Sequence, residues 1–362
     1  MLDRRQRISA GAAVLLTVAA GLGEAAGAGA VTRFVLSGLA LAALAAVIGE
    51  AVEQVGERLG PGTTAVVQST LGNLPEFFVG IFALRAGLTG VVRAALIGSV
   101  LGNVVLVLGC VFVAGGLRHG TQSFDPEEPR LNSSLLLVVV GALLVPTLAS
   151  KLGTPAAAHE QVLSDACAAV LLVVYAASVP FYLRHRGAPA AGSHGSAPAR
   201  GDETDPASSA WPLPLSLALL AVSAGGAALV SDWFVSPLAA ATRSLGMSQA
   251  FTGLVVVAIA SNAVEHAVGV RFALHGKAEY AISTTLNSPL QVALLLTPAL
   301  VLVSGVVGPS PLTLVFPPLL VAALAVSAVV VAVVVYDGEY TWIEGVALVG
   351  LYCIIATAFW WG

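Results

Sequence analysis

Two short stretches place reactive side chains where they are costly to keep. One is GNLPEFFVG, Gly72 to Gly80, and the other is SNAVEHAVG, Ser261 to Gly269. Each contains an Asn-x-x-Glu step, Asn73 with Glu76 and Asn262 with Glu265. Residues three apart share one helix face. Both steps lie inside long apolar runs, where a carboxylate costs about 3 kcal/mol on insertion scales. A lone glutamate there could simply bond a neighbouring helix. Two at matching places point to function. The apolar segments that follow add Ser99 and Asn103 in one case, Ser288 and Gln291 in the other. Pro75 and Pro289 have no backbone N–H to donate. They are expected to break their helices, which frees carbonyl oxygens tolerable only beside a cavity, water or an ion. A kink alone is the plainer alternative.

The donors form a hard, all-oxygen set of carboxylates, amides, hydroxyls and freed carbonyls. Calcium takes six to eight oxygens in flexible geometry, and two glutamates balance its charge. Zinc or copper would call for more nitrogen or sulfur. With no cation present, two close carboxylates in a low dielectric cannot both stay ionised cheaply, so protons replace the departed ion. Competition of Ca²⁺ and H⁺ for one site is sufficient for antiport if the site faces one side at a time. The ions are cargo, and no cofactor is expected.

The elements that must hold these residues are membrane helices. Of 362 residues, 57% are hydrophobic and 10% charged, against about 25% charge in a soluble domain. The net charge of -4, with no basic patch, excludes a nucleic-acid partner. Segments of about 20 apolar residues span the hydrocarbon core. Eleven are expected, near 9–29, 34–56, 63–86, 91–116, 131–150, 159–183, 211–234, 248–274, 278–304, 312–335 and 341–361. The fold class is all-α integral membrane, with the bilayer as partner. Cys110, Cys167 and Cys353 lie in apolar runs and are expected to be buried, inert thiols.

A shift of 189 aligns Asn73 with Asn262, Glu76 with Glu265, Gly80 with Gly269, Gly87 with Gly276 and Ser99 with Ser288. Chance similarity between apolar helices would keep Leu, Ala and Val in step, not rare polar residues. The organisation is one extra helix (1–30), a five-helix repeat (31–183), a polar, flexible linker (184–210) and a second five-helix repeat (211–362). An odd number of helices per repeat inverts the second, the usual build of secondary transporters. With the N-terminus in the cytoplasm, 11 of the 16 basic residues fall on that side. The positive-inside rule then places the linker in the cytoplasm too. The start MLDRRQR and the apolar stretch after it also have the form of a signal peptide, whose loss would leave the other ten helices oriented as before.

These motifs resemble the Ca²⁺/H⁺ antiporter family of the calcium/cation antiporter superfamily. GNLPEFFVGIFALRAG with VVRAALIGSVLGNVVLVLG looks like its first signature repeat. SNAVEHAVGVRFALHG with NSPLQVALLLTP looks like the second, and WIEGVALVGLYCIIATAFWW resembles its last helix. The resemblance covers residues from about 40 to the end. It implies Glu76 and Glu265 as central ligands, with Asn73, Asn262, Ser99, Asn103, Ser288 and Gln291 around them. It implies His266 as a polar or proton-handling neighbour, for which a packed side chain is the plain alternative. IGEAVEQVGERLG looks like the family's acidic helix, and Glu50, Glu53 and Glu57 would recruit cations at the cytoplasmic mouth. A solvated helix end is their plain alternative. A bacterial plasma membrane is the expected location. The chain departs from the pattern in three places. Leu74-Pro75 interrupts Gly-Asn-Ala-x-Glu, Arg93 replaces a glutamine, and Asn287-Ser288-Pro289-Leu290-Gln291 stands for Gly-Ser-Ser-Thr-Gln.

The nearest rival is a Na⁺/Ca²⁺ exchanger. Such proteins usually carry a further acid where this chain has Asn103 and Gln291, which favours protons. An antiporter for another cation is a close variant. An intramembrane metalloprotease would need His-Glu-x-x-His, which is absent. A channel would not need broken helices in inverted repeats.

Overall fold

A computed structural model describes residues 4–59, 71–187 and 211–361. Eleven helices carry the fold: α1 (Arg4–Ala25), α2 (Ala30–Leu59), α3 (Leu74–Arg85), α4 (Thr89–His119), α5 (Glu127–Lys151), α6 (Glu160–Gly187), α7 (Leu213–Val235), α8 (Gln249–Leu274), α9 (Ala278–Val307), α10 (Pro318–Val334) and α11 (Trp342–Trp360). Among the described residues, nine are long and apolar enough to cross a membrane, and α10 is a shorter apolar helix. The third segment expected from hydropathy, 63–86, ends in α3, and its earlier residues 63–70 lie outside the described ones. Helix α6 runs on to Gly187, past the expected start of the linker, whose residues 188–210 are also outside. The three cysteines are free, but none is fully buried as expected: Cys110 and Cys167 are half-buried and Cys353 is exposed.

The repeat is visible in the backbone. Gly87 and Gly276, 189 apart, end α3 and α8 with φ of 72° and 71°, a left-handed turn that glycine adopts without strain. A π-helical stretch interrupts α4 at Gly102–Val107 and α9 at Val292–Leu296, in nearly the same register. A third occupies Thr252–Val257 in α8.

Packing repeats as well. Helix α3 lies against α7, and its counterpart α8 lies against α2. The second half of α4 packs on α11, and that of α9 on α6. Helices α2 and α7 pack on each other, as do α5 and α10. Exchanging the halves maps this pattern onto itself, which is what a pseudo-twofold between inverted five-helix repeats requires. Helix α1 stands outside the pattern, against α2 and α7.

Small residues allow the central crossings. A Cβ at Gly98 of α4 would fall 2.2 Å from the Leu254 carbonyl oxygen of α8. At Gly253 it would fall 2.6 Å from the Val91 carbonyl oxygen. Between α4 and α11, a Cβ on Gly345 would meet the Gly109 carbonyl oxygen at 2.6 Å. On one face, Gln122–Ser123 and Glu339–Tyr340 pair as a small antiparallel clip that joins the α4–α5 and α10–α11 connections.

The two prolines behave differently. Leu71 and Gly72 are helical, Asn73 is a turn, and α3 restarts at Leu74 with Pro75 in its first turn. There a missing N–H leaves no helical bond unmade. The expected break in the first motif is therefore present, confined to Asn73. Pro289 does not break α9. The helix runs through it, and the π-helical stretch follows at once. A similar stretch follows Val100, the counterpart of Pro289, so the widened turn belongs to the repeat and absorbs the proline.

Candidate functional site

The restart of α3 places Glu76 in its first turn. The partial positive charge of that helix end points at the carboxylate and offsets part of the cost of holding it in the membrane. Glu265 lies in the continuous part of α8 and has no such helix end beside it. Its carboxylate Oε2 instead accepts a hydrogen bond from the Ser288 hydroxyl of α9.

The motifs interlock across the repeats. Asn262 of α8 lies with Nδ2 2.5 Å from Glu76 Oε1 and 3.1 Å from Ser99 Oγ of α4. Asn73 donates from Nδ2 to Gln291 Oε1 of α9 at 3.2 Å. Each asparagine thus reaches polar groups of the other half. Asn103 donates to the Ser99 carbonyl at 3.2 Å, which fixes the helix turn below the hydroxyl. Asn73, Ser99, Asn103, Asn262 and Ser288 are all buried.

These eight residues hydrogen-bond in three groups: Glu76 with Asn262, Ser99 and Asn103; Asn73 with Gln291; and Glu265 with Ser288. Their donors are oxygens and amides, with no sulfur. Among the described residues, no group of three or more His, Cys, Asp or Glu side chains could hold a metal. A cation here would therefore be held by two carboxylates and neutral oxygens. Glu76 Oε2 is buried with no hydrogen-bond partner, an acceptor left open for an ion or a proton.

Not every expected residue joins these groups. His266 Nε2 is buried without a hydrogen-bond partner, so nothing ties the imidazole to either carboxylate. Glu50 accepts from Ser9 of α1 at 3.0 Å, at the far end of α2. The side chains of Glu53 and Glu57 lie outside the described residues. Arg93 points away from the path. It donates from Nε to the Thr313 carbonyl at 3.1 Å and from Nη2 to the Thr313 hydroxyl at 2.9 Å.

Ser261 was not among the sequence candidates. Its hydroxyl donates to Glu76 Oε1 at 3.3 Å. Its counterpart in the first repeat is Gly72, so comparing the halves hid it, although it stands directly before Asn262.

Beyond Glu76, a cavity of about 30 Å³ continues between α3, α4, α8 and α9. That is room for water but not for a hydrated ion. Apart from Glu76 and Ser261 its lining is apolar, including Val79, Val91, Leu96 and Leu300. Leu300 closes over Gly80, where a Cβ would lie only 2.7 Å from Leu300 Cδ1.

The comparisons with known proteins agree with this build. The family profile described as sodium/calcium exchanger protein matches residues 29–183 and 215–361, leaving α1 outside. A Ca²⁺/H⁺ antiporter of Synechocystis is 36% identical over 346 residues, 91% of each chain. The Ca²⁺/H⁺ antiporter ChaA of Bacillus subtilis is 34% identical over 88% of each chain. Among solved structures, native YfkE superposes with a TM-score of 0.79 at 28% identity, over 96% of this chain and 99% of that one. The H⁺/Ca²⁺ exchanger CAX shares the fold, with a TM-score of 0.74 at 14% identity over 98% of this chain and 92% of that one. With the profile covering both halves and full-length relatives above 30% identity, the chain belongs to the sodium/calcium exchanger protein family.

Proposed function

We propose that this protein exchanges Ca²⁺ for H⁺ across a membrane, by alternating access at the site built from Glu76 and Glu265. The observation that carries this reading is the crossed pair of motifs. The two carboxylates come from opposite repeats, and each is held by hydrogen-bond donors from the other half or the next helix. The antiporter function of the Synechocystis and Bacillus relatives supports the choice of ions. We place the protein in a bacterial plasma membrane, with the α4–α5 and α8–α9 connections in the cytoplasm, from the distribution of basic residues.

The chemistry follows from the donors. The Ser261 and Ser288 hydroxyls and the Asn262 amide donate to the carboxylates. To bind Ca²⁺, Ser99 and Ser288 turn their lone pairs inward, and Asn262 turns its Oδ1 toward the ion. When the ion leaves, a proton on each carboxylate removes the repulsion between the two charges and keeps the site neutral. Because each state is nearly neutral, the site can change sides without moving a bare charge through the apolar interior. A site that cannot cross empty and ionised couples the two fluxes.

The test is radioactive Ca²⁺ uptake into vesicles of purified protein, driven in turn by a pH gradient and a Na⁺ gradient. We expect uptake when the interior is acid, loss of uptake with a protonophore, and indifference to Na⁺. Uptake that needs Na⁺ and ignores the pH gradient would make the protein a Na⁺/Ca²⁺ exchanger instead.

A further inference from the structure

The two repeats differ sharply on either side of the central site. In α9, Ser283, Asn287 and Gln291 stand four residues apart and share one face. They cover about 12 Å of helix, from near its start to the site. Gln291 holds Asn73, and Ser288, next to Asn287, holds Glu265. At the other end of this ladder stands Glu128 of α5. Asn287 Nδ2 donates to Glu128 Oε1 at 2.8 Å. Ser283 Oγ lies 3.2 and 3.3 Å from the two oxygens of the same carboxylate. Asn132 then donates to Asn287 Oδ1 at 2.8 Å. Ser283, Asn287 and Glu128 are partly exposed.

The counterparts of the ladder in α4 are Ala94, Gly98 and Gly102, all buried. Gly98 packs on the α8 backbone, and the cavity on that side is apolar. The α9 side of the site thus carries a ladder of partly exposed polar side chains, and the α4 side is buried and apolar. The difference arises at a position where the chain departs from the resembled family. Asn287 stands where that pattern and the first repeat both have glycine. Its side chain bonds Glu128, one position before Ser288, which bonds Glu265.

We propose that Glu128, oriented by Ser283 and Asn287, is a staging site for Ca²⁺ on the cytoplasmic approach to the central carboxylates. Both Glu128 oxygens, the Ser283 hydroxyl and the Asn287 amide oxygen offer the hard donors that a divalent ion takes while it remains partly hydrated. Glu128 raises the local concentration of the ion, and the polar ladder of α9 leads it to Ser288 and Glu265. Ser283 and Asn287 act as positioning residues. The first family-like acidic group, Glu50, is bonded to α1 and does not belong to this path.

The proposal rests on the exchange function above, and sidedness separates the two. Ca²⁺ transport is measured in everted and right-side-out vesicles of the bacterial membrane, so that each face in turn meets the external ion. Glu128→Gln keeps the shape and hydrogen-bonding capacity of the side chain but removes its charge. It is expected to raise the half-saturating Ca²⁺ concentration about tenfold at the face carrying the α4–α5 connection, the loss of one charged contact. The maximal rate and the value at the opposite face should stay unchanged. Asn287→Gly, which restores the residue of the first repeat, should shift the same face by a smaller factor. Glu128→Asp should recover most of the wild-type affinity. No shift in either Glu128→Gln or Asn287→Gly, or equal shifts at both faces, overturns the staging site and leaves the exchange function standing. If Glu128→Gln does not insert, Asn287→Gly carries the same decision. Wild-type protein without H⁺-coupled Ca²⁺ transport overturns both.

Discussion

At the scale of single residues, the site depends on charge rather than on shape. Glu76→Gln and Glu265→Gln are near-isosteric and remove one carboxylate each. Each is expected to lower Ca²⁺ transport at least about a hundredfold, or roughly 2.7 kcal/mol, while the protein still inserts and elutes as a folded species. Uptake into vesicles by both variants at wild-type rates would refute the assignment. Glutamates were the legible part of the site, because a carboxylate in an apolar run is rare and costly. The asparagines were legible because they kept register with them. Ser261 was not, since a serine in a membrane helix is common and its repeat partner is a glycine. Glu128 was not legible either, because a glutamate in the first turn of a helix reads as an ordinary helix start. Only the approach of α9 gives it a role.

At the scale of elements, crossings and turns decide what a substitution does. Gly98→Ala would put a Cβ 2.2 Å from a backbone oxygen of α8. Overpacking of that kind costs about 1–3 kcal/mol when it can be absorbed, and two backbones in contact absorb little. Lower thermal stability in detergent is expected, with transport lost alongside. Gly11→Ala is the control, since nothing lies within 4 Å of that position. Pro289→Val, which copies Val100 of the first repeat, should leave transport within about twofold of wild type, because the π-helical stretch forms in both repeats. A large loss in vesicle uptake would show that the proline shapes the site. From the sequence, Pro289 reads as a helix breaker because that is its local preference. Packing of α9 against α5 and α6 keeps the helix whole, and the wider turn accommodates the ring.

At the scale of the whole molecule, the pseudo-twofold brings the halves together and the exceptions to it give direction. Helix α1, the end of α2 and the start of α7 meet at Trp211, which is 1% exposed. Its indole donates to Gln6 Oε1 at 3.0 Å and its backbone N–H to Gln54 Oε1 at 2.9 Å. Trp211→Ala removes a buried ring that joins three helices, and losses of this kind run to about 3–5 kcal/mol in protein cores. A fall in melting temperature in detergent is the expected outcome. Transport at low temperature should persist, because the ring bonds Gln6 and Gln54 and none of the residues around Glu76 and Glu265.

What the sequence determined by itself was the all-helical membrane build, the inverted repeat and the place of two glutamates within apolar runs. Each of these follows from the membrane as solvent. A bilayer sets the length of a spanning helix, and it makes every polar residue within that length costly enough to be conspicuous. What only the tertiary structure decided was which polar groups meet. Asn262 reaches Glu76 and not its own helix neighbour Glu265, and Asn73 reaches Gln291. These contacts join residues 186 and 218 positions apart. No local preference specifies such a pairing, because it depends on how inverted halves pack. The same holds for the two approaches. Asn287 of α9 stands where α4 has Gly98, and the packing around that position leaves the α9 side polar and the α4 side closed.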